Sequence, residues 1–266
     1  MVEDTPVTIA SDKLTAELSQ QLGDADPSGV VIAFDGDGTL WSGDVGEDLF
    51  RAAVRDDFLL ADALPALREE AERFGIPIAK NHADANAVAR ELMAAYLAGQ
   101  YPERETCGMM TWCYAGRTLA EVEALATTVL EEEALASRLH DELSPIVAWA
   151  NAHGVRCVLI SASPRTVVER AAAFWDFLPR DVAAATPAVE AGRVLPRLAA
   201  PVPYAEAKLS AGRGLFGEAR WLAAFGDNVF DIDMLTEAEV GIAVRPKPKL
   251  ATELKALGLR LLARQP

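Results

Sequence analysis

The chain is poor in cysteine, in basic residues and in long apolar runs, and each shortage excludes a class of protein. Among 266 residues there are three cysteines, an odd number whose spacing fits neither a disulfide framework nor a zinc site. There are 25 Lys and Arg against 40 Asp and Glu, so the formal charge of -15 argues against binding nucleic acid or an anionic membrane. No apolar run is long enough for a membrane span, and residues 1–29 lack a signal-peptide pattern. We therefore expect a soluble, reduced, cytoplasmic protein.

What the chain does have is ample apolar material, arranged in alternating strand and helix patterns. Hydrophobic residues make up 51% of the chain, as in a globular protein with a core. Apolar runs typical of buried strands occupy residues 30–34, 155–160, 182–186, 221–225 and 240–244. Helical patterns separate them, so the expected fold is α/β with a doubly wound, Rossmann-like parallel sheet. Sites in such sheets lie at the carboxyl ends of the strands.

A long helical stretch separates the first two strand patterns. Residues 41–143 are rich in Ala, Leu, Glu and Arg and contain no convincing strand, and the clearest helix in them is predicted over Leu119–Leu139. We therefore predict a helical cap subdomain at residues 43–143, inserted into an α/β core formed by residues 1–42 and 144–266.

The first apolar run leads directly into the segment Asp-Gly-Asp-Gly-Thr at residues 35–39. Asp35 and Asp37 project to the same side of an extended backbone, and two carboxylates so close need a cation or a proton between them. The alternative is a tight Asp-Gly turn with no chemical role. An EF-hand is excluded, because Leu40 and Gly46 stand where that loop requires Gly and Glu.

Two further polar residues stand out by their position in the pattern. Ser161 ends the second strand, and Ser163-Pro164 is expected to cap a helix whose free N–H groups favour an anion. The alternative is a serine that caps a turn. Lys208 is the only lysine between positions 80 and 247 and lies between two strand patterns. Its alternative is an ordinary surface charge.

A second acidic segment follows the strand pattern at residues 221–225. Asp227 and Asp231 are four residues apart and share a face if a helix begins there. Carboxylates without nearby basic partners suit a hard cation such as Mg²⁺. The alternative is an acidic helix N-terminus, which the helix dipole also favours.

In this order the four segments resemble the motifs of the haloacid dehalogenase-like (HAD) superfamily of phosphatases, nearest to its phosphoserine-phosphatase group. The matching positions are Asp35, Asp37 and Thr39 for the first motif, Ser161 for the second, Lys208 for the third, and Asp227 and Asp231 for the fourth. The resemblance covers residues 30–40 and 145–250, and the helical stretch falls where that family carries its helical cap.

The resemblance implies a Mg²⁺-dependent hydrolase of small phosphomonoesters. It makes Asp35 the nucleophile that forms an aspartyl-phosphate and Asp37 the acid and base. It makes Ser161 and Lys208 the residues that hold the phosphoryl oxygens. The implied metal ligands are Asp35, the carbonyl of Asp37, and Asp227, with Asp231 in support.

The implied substrate is a small phosphorylated metabolite, and phosphoserine itself is doubtful. Asp44 stands where phosphoserine phosphatases have a cap-side Glu, nine residues after the nucleophile. The Arg with which they grip the substrate carboxylate falls near Met110, where this chain has none. Arg104 and Arg117 are the possible substitutes, although their spacing does not support either.

Some residues of the helical stretch carry alternatives that the sequence leaves open. Four soft or aromatic side chains either line a pocket for a cationic head group or pack in the cap core: Met109, Met110, Trp112 and Tyr114. The three histidines, His82, His140 and His153, have no spacing that suggests a metal site or a triad.

Three other functions compete with hydrolysis of a phosphomonoester. A phosphotransferase or phosphomutase shares the aspartyl-phosphate and differs only in the acceptor. A phosphonate hydrolase of this type needs a cap lysine, for which Lys80 is the candidate. Such hydrolases have no acid at the position of Asp37, however, so the acid in this chain disfavours that function. A non-catalytic phosphate-binding protein is disfavoured, because all the motif positions are filled. The sequence does not reveal the oligomeric state.

Overall fold

The computed structural model of the chain describes residues 6–79 and 84–264. In chain order its strands are β1 (Thr8–Ile9), β2 (Val30–Phe34), β3 (Arg156–Pro164), β4 (Val182–Ala185), β5 (Pro187–Glu190), β6 (Arg193–Leu198), β7 (Arg220–Gly226), β8 (Val240–Ala243) and β9 (Arg260–Leu262). Seven of them form one sheet in the spatial order β1-β9-β8-β7-β2-β3-β4, with every adjacent pair parallel. The other two, β5 and β6, form an antiparallel hairpin.

The strand order places a reversal of direction beside β2. From β2 the chain moves outward through β3 to β4, then returns to the other side of β2 at β7 and continues to β8 and β9. In a doubly wound sheet, a crevice opens outside the carboxyl ends of the strands at such a point. The predicted α/β fold, with a doubly wound parallel sheet, is therefore confirmed.

Both faces of the sheet are buried, which explains why its strands read as uninterrupted apolar runs. Val31 and Ala33 of β2 belong to one apolar cluster, whereas Ile32 and Phe34 belong to the other. Successive side chains of a strand point to opposite faces, so a strand covered on both sides must be apolar throughout. The Phe34 ring also stacks on Phe225 of β7 at a centroid distance of 4.6 Å, which packs the two central strands together.

Helices cover the sheet and form the segment between β2 and β3. In chain order they are α1 (Ser11–Leu22), α2 (Val45–Arg55), α3 (Leu64–Arg73), α4 (Ala85–Leu97), α5 (Glu103–Trp112), α6 (Leu119–Glu132), α7 (Ser144–His153), α8 (Arg165–Ala172), α9 (Ala207–Phe216), α10 (Ile232–Glu237) and α11 (Pro248–Glu253). The helices α2 to α6 lie between β2 and β3, as the sequence predicts. None of the helices in the described part of the chain is both long and apolar enough to cross a membrane.

Two linkers join this helical segment to the sheet, one containing Leu40 and Ser42 and the other containing Arg138 and His140. The two linkers pair with each other. The Ser42 amide donates to the Arg138 carbonyl at 2.9 Å, and the His140 amide donates to the Leu40 carbonyl at 3.0 Å. The buried His140 ring also bonds to the Thr39 carbonyl at 2.7 Å and to the Ser42 hydroxyl at 2.8 Å. The histidine therefore holds the linkers together, and this contact gives it a structural role.

The division into a core of residues 1–42 and 144–266 and a helical cap of residues 43–143 stays a prediction. The paired linkers lie close to its boundaries. The hairpin of β5 and β6, which belongs to the predicted core in sequence, packs against α5, and the Gly116 amide donates to the Val194 carbonyl at 2.9 Å. The helical segment is therefore covered in part by a later piece of the chain.

Three local features differ from the predicted ones. Helix α6 ends at Glu132 rather than Leu139, because Ala134 takes a left-handed backbone conformation with φ of 48°. Ser163 does not cap a helix, because β3 continues past it and its hydroxyl donates to Asp37 instead. The sequence pattern also does not reveal the short strands β1 and β9, or the hairpin of β5 and β6.

Candidate active site

Three neighbouring strands end at one edge of the sheet, and a polar residue stands at the end of each. Asp35 follows β2, Ser161 lies near the end of β3, and Asp227 follows β7. Helix α9 brings in Lys208, and the helical turn after β7 brings in Asp231. All five side chains are buried and line a cavity of about 60 Å³. The structure thus brings together residues that the sequence places in four separate segments.

Lys208 is the centre of a buried chain of ion pairs. Its Nζ donates to Asp35 Oδ1 at 2.5 Å and to Asp231 Oδ1 at 2.5 Å. The other oxygen of Asp231 accepts from the amides of Asp227 at 3.1 Å and Asn228 at 2.9 Å. Both oxygens of Asp231 therefore have donors within the protein, and this carboxylate positions Lys208 against Asp35. A buried ammonium group requires such partners, because an unpaired charge in the interior costs several kcal/mol.

Burial and neighbouring charges shift the pKa of three of these groups. It raises the pKa of Asp35 well above its usual range, against the opposing effect of Lys208 and with added repulsion from Asp231 and Asp227. Burial also raises the pKa of Asp227 to about 7, with further repulsion from Asp231. Burial alone lowers the pKa of Lys208, but Asp231 and Asp35 outweigh it and raise that pKa. A further positive charge near these carboxylates would favour their ionised form.

Asp37 has a separate set of partners on the other side of the cavity. Its Oδ1 accepts from the indole N–H of Trp41 at 2.8 Å and from the amide of Val45 at 2.8 Å. Its Oδ2 accepts from the hydroxyl of Ser163 at 2.6 Å. Burial raises the Asp37 pKa and repulsion from Asp48 adds to the rise, whereas the three hydrogen bonds favour the charged form and oppose it. The side chain is therefore held in one orientation while it remains able to carry a proton.

The oxygens around Asp227 fit a divalent cation. Asp35, Asp227 and Asp231 each place one carboxylate oxygen within 4.8 Å of the other two. Gly38 has φ of 86°, and a Cβ on it would come within 2.2 Å of Asp227 Oδ2. Only glycine keeps the space beside that oxygen free, and oxygen ligands next to such a space suit Mg²⁺. The Nζ of Lys247, a residue that the sequence did not single out, lies 3.4 Å from the same oxygen.

A second cavity, of about 680 Å³, adjoins the first on the side of the helical segment. Asp37, Asp44, Glu103 and Lys247 line both cavities. Asp44 caps α2 by accepting from the Glu47 amide at 2.8 Å, and burial, with repulsion from Asp37, raises its pKa well above the usual range. Space for a small molecule therefore lies next to the edge where β2, β3 and β7 end.

The small cavity is lined towards this space by acidic and aromatic side chains, together with the basic side chain of Lys247. Glu103 has no hydrogen-bond or ion-pair partner within residues 6–79 and 84–264, and burial raises its pKa. Tyr204 and Phe230 line the same cavity with ring centroids 4.3 Å apart. The sequence pattern gave no signal for these three residues, because they come from α5, from the loop before α9 and from the turn after β7.

Other candidates from the sequence lie away from these cavities. The sulfur-containing and aromatic cluster packs in the apolar core, which settles its alternatives in favour of packing; its members are Met109, Met110, Trp112 and Tyr114. Arg104 pairs with Glu105 and Arg117 pairs with Glu121, and neither arginine lines either cavity. The three cysteines are free and buried, and unlike the other candidates Cys107 does line the small cavity. Lys80 and His82 lie outside the described residues.

Comparison with known proteins agrees with this geometry. The family model of the haloacid dehalogenase-like hydrolases matches residues 32–236. This range contains every site residue named above except Lys247. No curated protein is significantly similar to the chain in sequence.

Solved structures share the fold at low sequence identity. A protein of unknown function from Bordetella pertussis is 19% identical with a TM-score of 0.68, over 88% of this chain and 97% of that one. A functionally unknown protein from Anaerococcus prevotii is 15% identical with a TM-score of 0.70, over 97% and 93%. A phosphoserine phosphohydrolase-like protein from Francisella tularensis is 14% identical with a TM-score of 0.54, over 89% and 95%. At these identities the likeness is one of fold.

Proposed function

The chain belongs to the haloacid dehalogenase-like hydrolase family, and from this premise we propose that it hydrolyses small phosphomonoesters through an aspartyl-phosphate. The observation that carries the proposal is the contact of 2.5 Å between the buried Lys208 and Asp35 Oδ1, at the edge where β2, β3 and β7 end. It fixes one oxygen of a carboxylate at the floor of a cavity, with cationic and hydroxyl groups around it.

In the first step, Asp35 attacks the phosphorus of the ester. Asp37 protonates the leaving oxygen, and the bond between phosphorus and that oxygen breaks. Lys208 and the Ser161 hydroxyl hold the phosphoryl oxygens, so that the charge developing on them is met by fixed donors. In the second step, Asp37 takes a proton from water, and this water releases phosphate from Asp35.

The same proposal assigns a Mg²⁺ site to Asp35, the Asp37 carbonyl and Asp227, with Asp231 in support. Bound there, the ion supplies positive charge that lets a carboxylate approach a phosphate dianion. Without it, each pair of unit charges at 4 Å opposes the approach by about 4 kcal/mol at an effective dielectric constant of 20. The excess of buried carboxylates and the space kept free by Gly38 support this assignment.

We further propose that the leaving group is neutral or cationic. Asp44 and Glu103 place carboxyl groups on the side of the cavity where the leaving group must lie. Tyr204 and Phe230 offer ring faces on the same side, which suit an ammonium group. Neither Arg104 nor Arg117 lines either cavity, and each pairs with a nearby glutamate, which disfavours phosphoserine as the substrate.

A panel of small phosphomonoesters, assayed for phosphate release with Mg²⁺ and with EDTA, tests the proposal. We expect release from at least one ester, and loss of that release in EDTA with recovery on adding Mg²⁺. Absence of Mg²⁺-dependent release from every ester would contradict it. Transfer of the phosphoryl group to an added alcohol, with little phosphate released, would instead identify a phosphotransferase.

A further inference from the structure

The carboxylate of Asp37 is held by three donors, two from the segment that directly follows it and one from the end of β3. The Trp41 indole lies on the linker after β2, the Val45 amide opens α2, and the Ser163 hydroxyl lies near the end of β3. The sequence singled out neither Trp41 nor the Val45 amide, and it assigned Ser163 to a helix cap. Their convergence on one side chain therefore requires an explanation.

The three donors are not equivalent, because they divide unevenly between the two oxygens. A carboxylate offers about four lone-pair sites, two on each oxygen. Trp41 and Val45 fill both sites of Oδ1, at 2.8 Å each, whereas Ser163 fills one site of Oδ2 at 2.6 Å. Indole and amide N–H groups only donate, so Oδ1 remains an acceptor at all times. A hydroxyl both donates and accepts, so Ser163 tolerates Oδ2 with or without a proton.

We propose that Trp41 and Ser163 are positioning residues that make Oδ2 of Asp37 the single atom through which the proton passes. This inference rests on the proposed function, because it concerns the acid and base of that reaction. In the first step the Oδ2–H bond breaks and its proton joins the leaving oxygen, which keeps the electron pair of the broken bond to phosphorus. In the second step, a proton from the attacking water returns to Oδ2.

Trp41 is well placed to hold Oδ1 without moving. Its side chain is completely buried, and its carbonyl accepts from the Gly38 amide at 2.8 Å. Its ring lies so close to Gly36 that a Cβ there would come within 2.9 Å of it. The indole is thus wedged beneath the loop that carries Asp35 and Asp37, and its N–H direction is fixed by packing.

The test compares leaving groups, because a general acid matters most when the leaving oxygen is strongly basic. The value of kcat/KM is measured for 4-nitrophenyl phosphate, for phenyl phosphate and for the best alkyl phosphate of the panel. We expect Trp41→Phe to reduce kcat/KM about tenfold or more for the alkyl ester, because the variant loses one hydrogen bond to a charged group. The reduction should be much smaller for 4-nitrophenyl phosphate, whose leaving group needs little protonation. Ser163→Ala should show the same pattern.

A matched control is Trp149→Phe, since the Trp149 indole also donates to a single oxygen, that of Ser19, at 2.7 Å and lines neither cavity. It should leave kcat/KM unchanged for all three esters.

Equal losses for every leaving group in Trp41→Phe and Ser163→Ala would overturn the inference and indicate a structural role. If the unmutated protein hydrolyses no ester, the proposed function itself fails, and that outcome is distinct. Circular dichroism of each variant checks that it is folded.

Discussion

The two sides of the catalytic cavity are built on different principles. On the sheet side, the carboxylates of Asp35 and Asp231 are buried and that of Asp37 is half-buried, and each has at least one donor within 3.1 Å. On the helical side, Asp44 only caps its own helix, and Glu103 has no partner among the described residues. One side is a closed network, whereas the other keeps Glu103 free within the described part of the chain, although Asp48 in the second cavity pairs with Arg138.

This difference suggests separate roles for the two sides, one in the chemical step and the other in selection of the leaving group. Buried charges that are already paired cannot adapt to different ligands without losing partners, so the sheet side suits a constant chemical step. Unpaired groups beside a large cavity gain partners only when a ligand arrives, so the helical side suits selection of the leaving group. Substitutions on the sheet side should therefore reduce kcat, and those on the helical side should mainly change KM.

The largest effect is expected for Asp35→Asn. The amide keeps the shape of the side chain but cannot attack phosphorus, so turnover should be abolished while the fold remains intact. Phosphate release from the best ester and circular dichroism measure the two parts of this prediction. A variant that keeps more than a few per cent of the activity would rule out Asp35 as the nucleophile.

The next effect is expected for Lys208→Met, which removes the charge and keeps most of the side-chain volume. Activity should fall by about 100- to 1,000-fold, the usual cost of losing one preorganised electrostatic partner. The variant also leaves Asp35 and Asp231 buried without their counter-ion, which should cost about 3–5 kcal/mol of unfolding free energy. Thermal and urea unfolding measure that loss.

The surface charge pair of Arg104 and Glu105 provides the control for this stability effect. Arg104→Met should change the free energy of unfolding by less than about 1 kcal/mol, because exposed ion pairs contribute little. Unchanged stability in Lys208→Met would show that the ion-pair chain of Lys208 is not maintained in solution, and it would weaken the contrast between the two sides.

The sequence predicted the sheet side better than the helical side for a physical reason. Asp35 and Asp227 follow strands and Ser161 lies near the end of one, and because parallel strands end at a common edge, the local pattern was enough to predict that these residues meet. Glu103 and Tyr204 meet only because α5 packs beside the loop before α9. Such packing depends on tertiary contacts between segments that are far apart in the sequence, and the periodicity of apolar residues along the chain does not predict those contacts.

The same reasoning explains the errors within the sheet side. The pair Ser163-Pro164 has the sequence of a helix start, but Asp37 competes for the serine hydroxyl, and β3 extends past it. Trp41 reads as one more apolar residue, because a sequence does not show which way an indole N–H points. A sequence motif therefore locates reacting groups more reliably than the neighbours that orient them.

Binding of Mg²⁺ should stabilise the protein by an amount that depends on pH. Folding raises the pKa of Asp227 from 3.8 to about 7, so the folded state binds more protons than the unfolded state between these values. The free energy of unfolding therefore falls as pH rises through this range, and a bound cation should offset that loss. At 100 times its dissociation constant, Mg²⁺ should add about 2.7 kcal/mol.

For a chain of this size, that stabilisation corresponds to a rise in Tm of roughly 5 °C or more. Differential scanning fluorimetry at pH 8 and at pH 5, with Mg²⁺ or EDTA, measures it, and the rise should be larger at pH 8. Asp227→Asn should lose most of the rise. The same rise in Asp227→Asn as in the unmutated protein would place the cation elsewhere.

The smallest effect is expected on the helical side, for Glu103→Gln. This change removes one charge without changing the shape, so kcat should stay within about twofold for every ester. The KM for an aminoalkyl phosphate such as phosphoethanolamine should rise roughly two- to fivefold, the value of one partly exposed ion pair. The KM for the neutral analogue glycerol phosphate should not rise.

Glu105→Gln, on the same helix but outside both cavities, should change neither value. A large fall in kcat in Glu103→Gln would mean that this side takes part in the chemical step, and the division between the two sides would not hold.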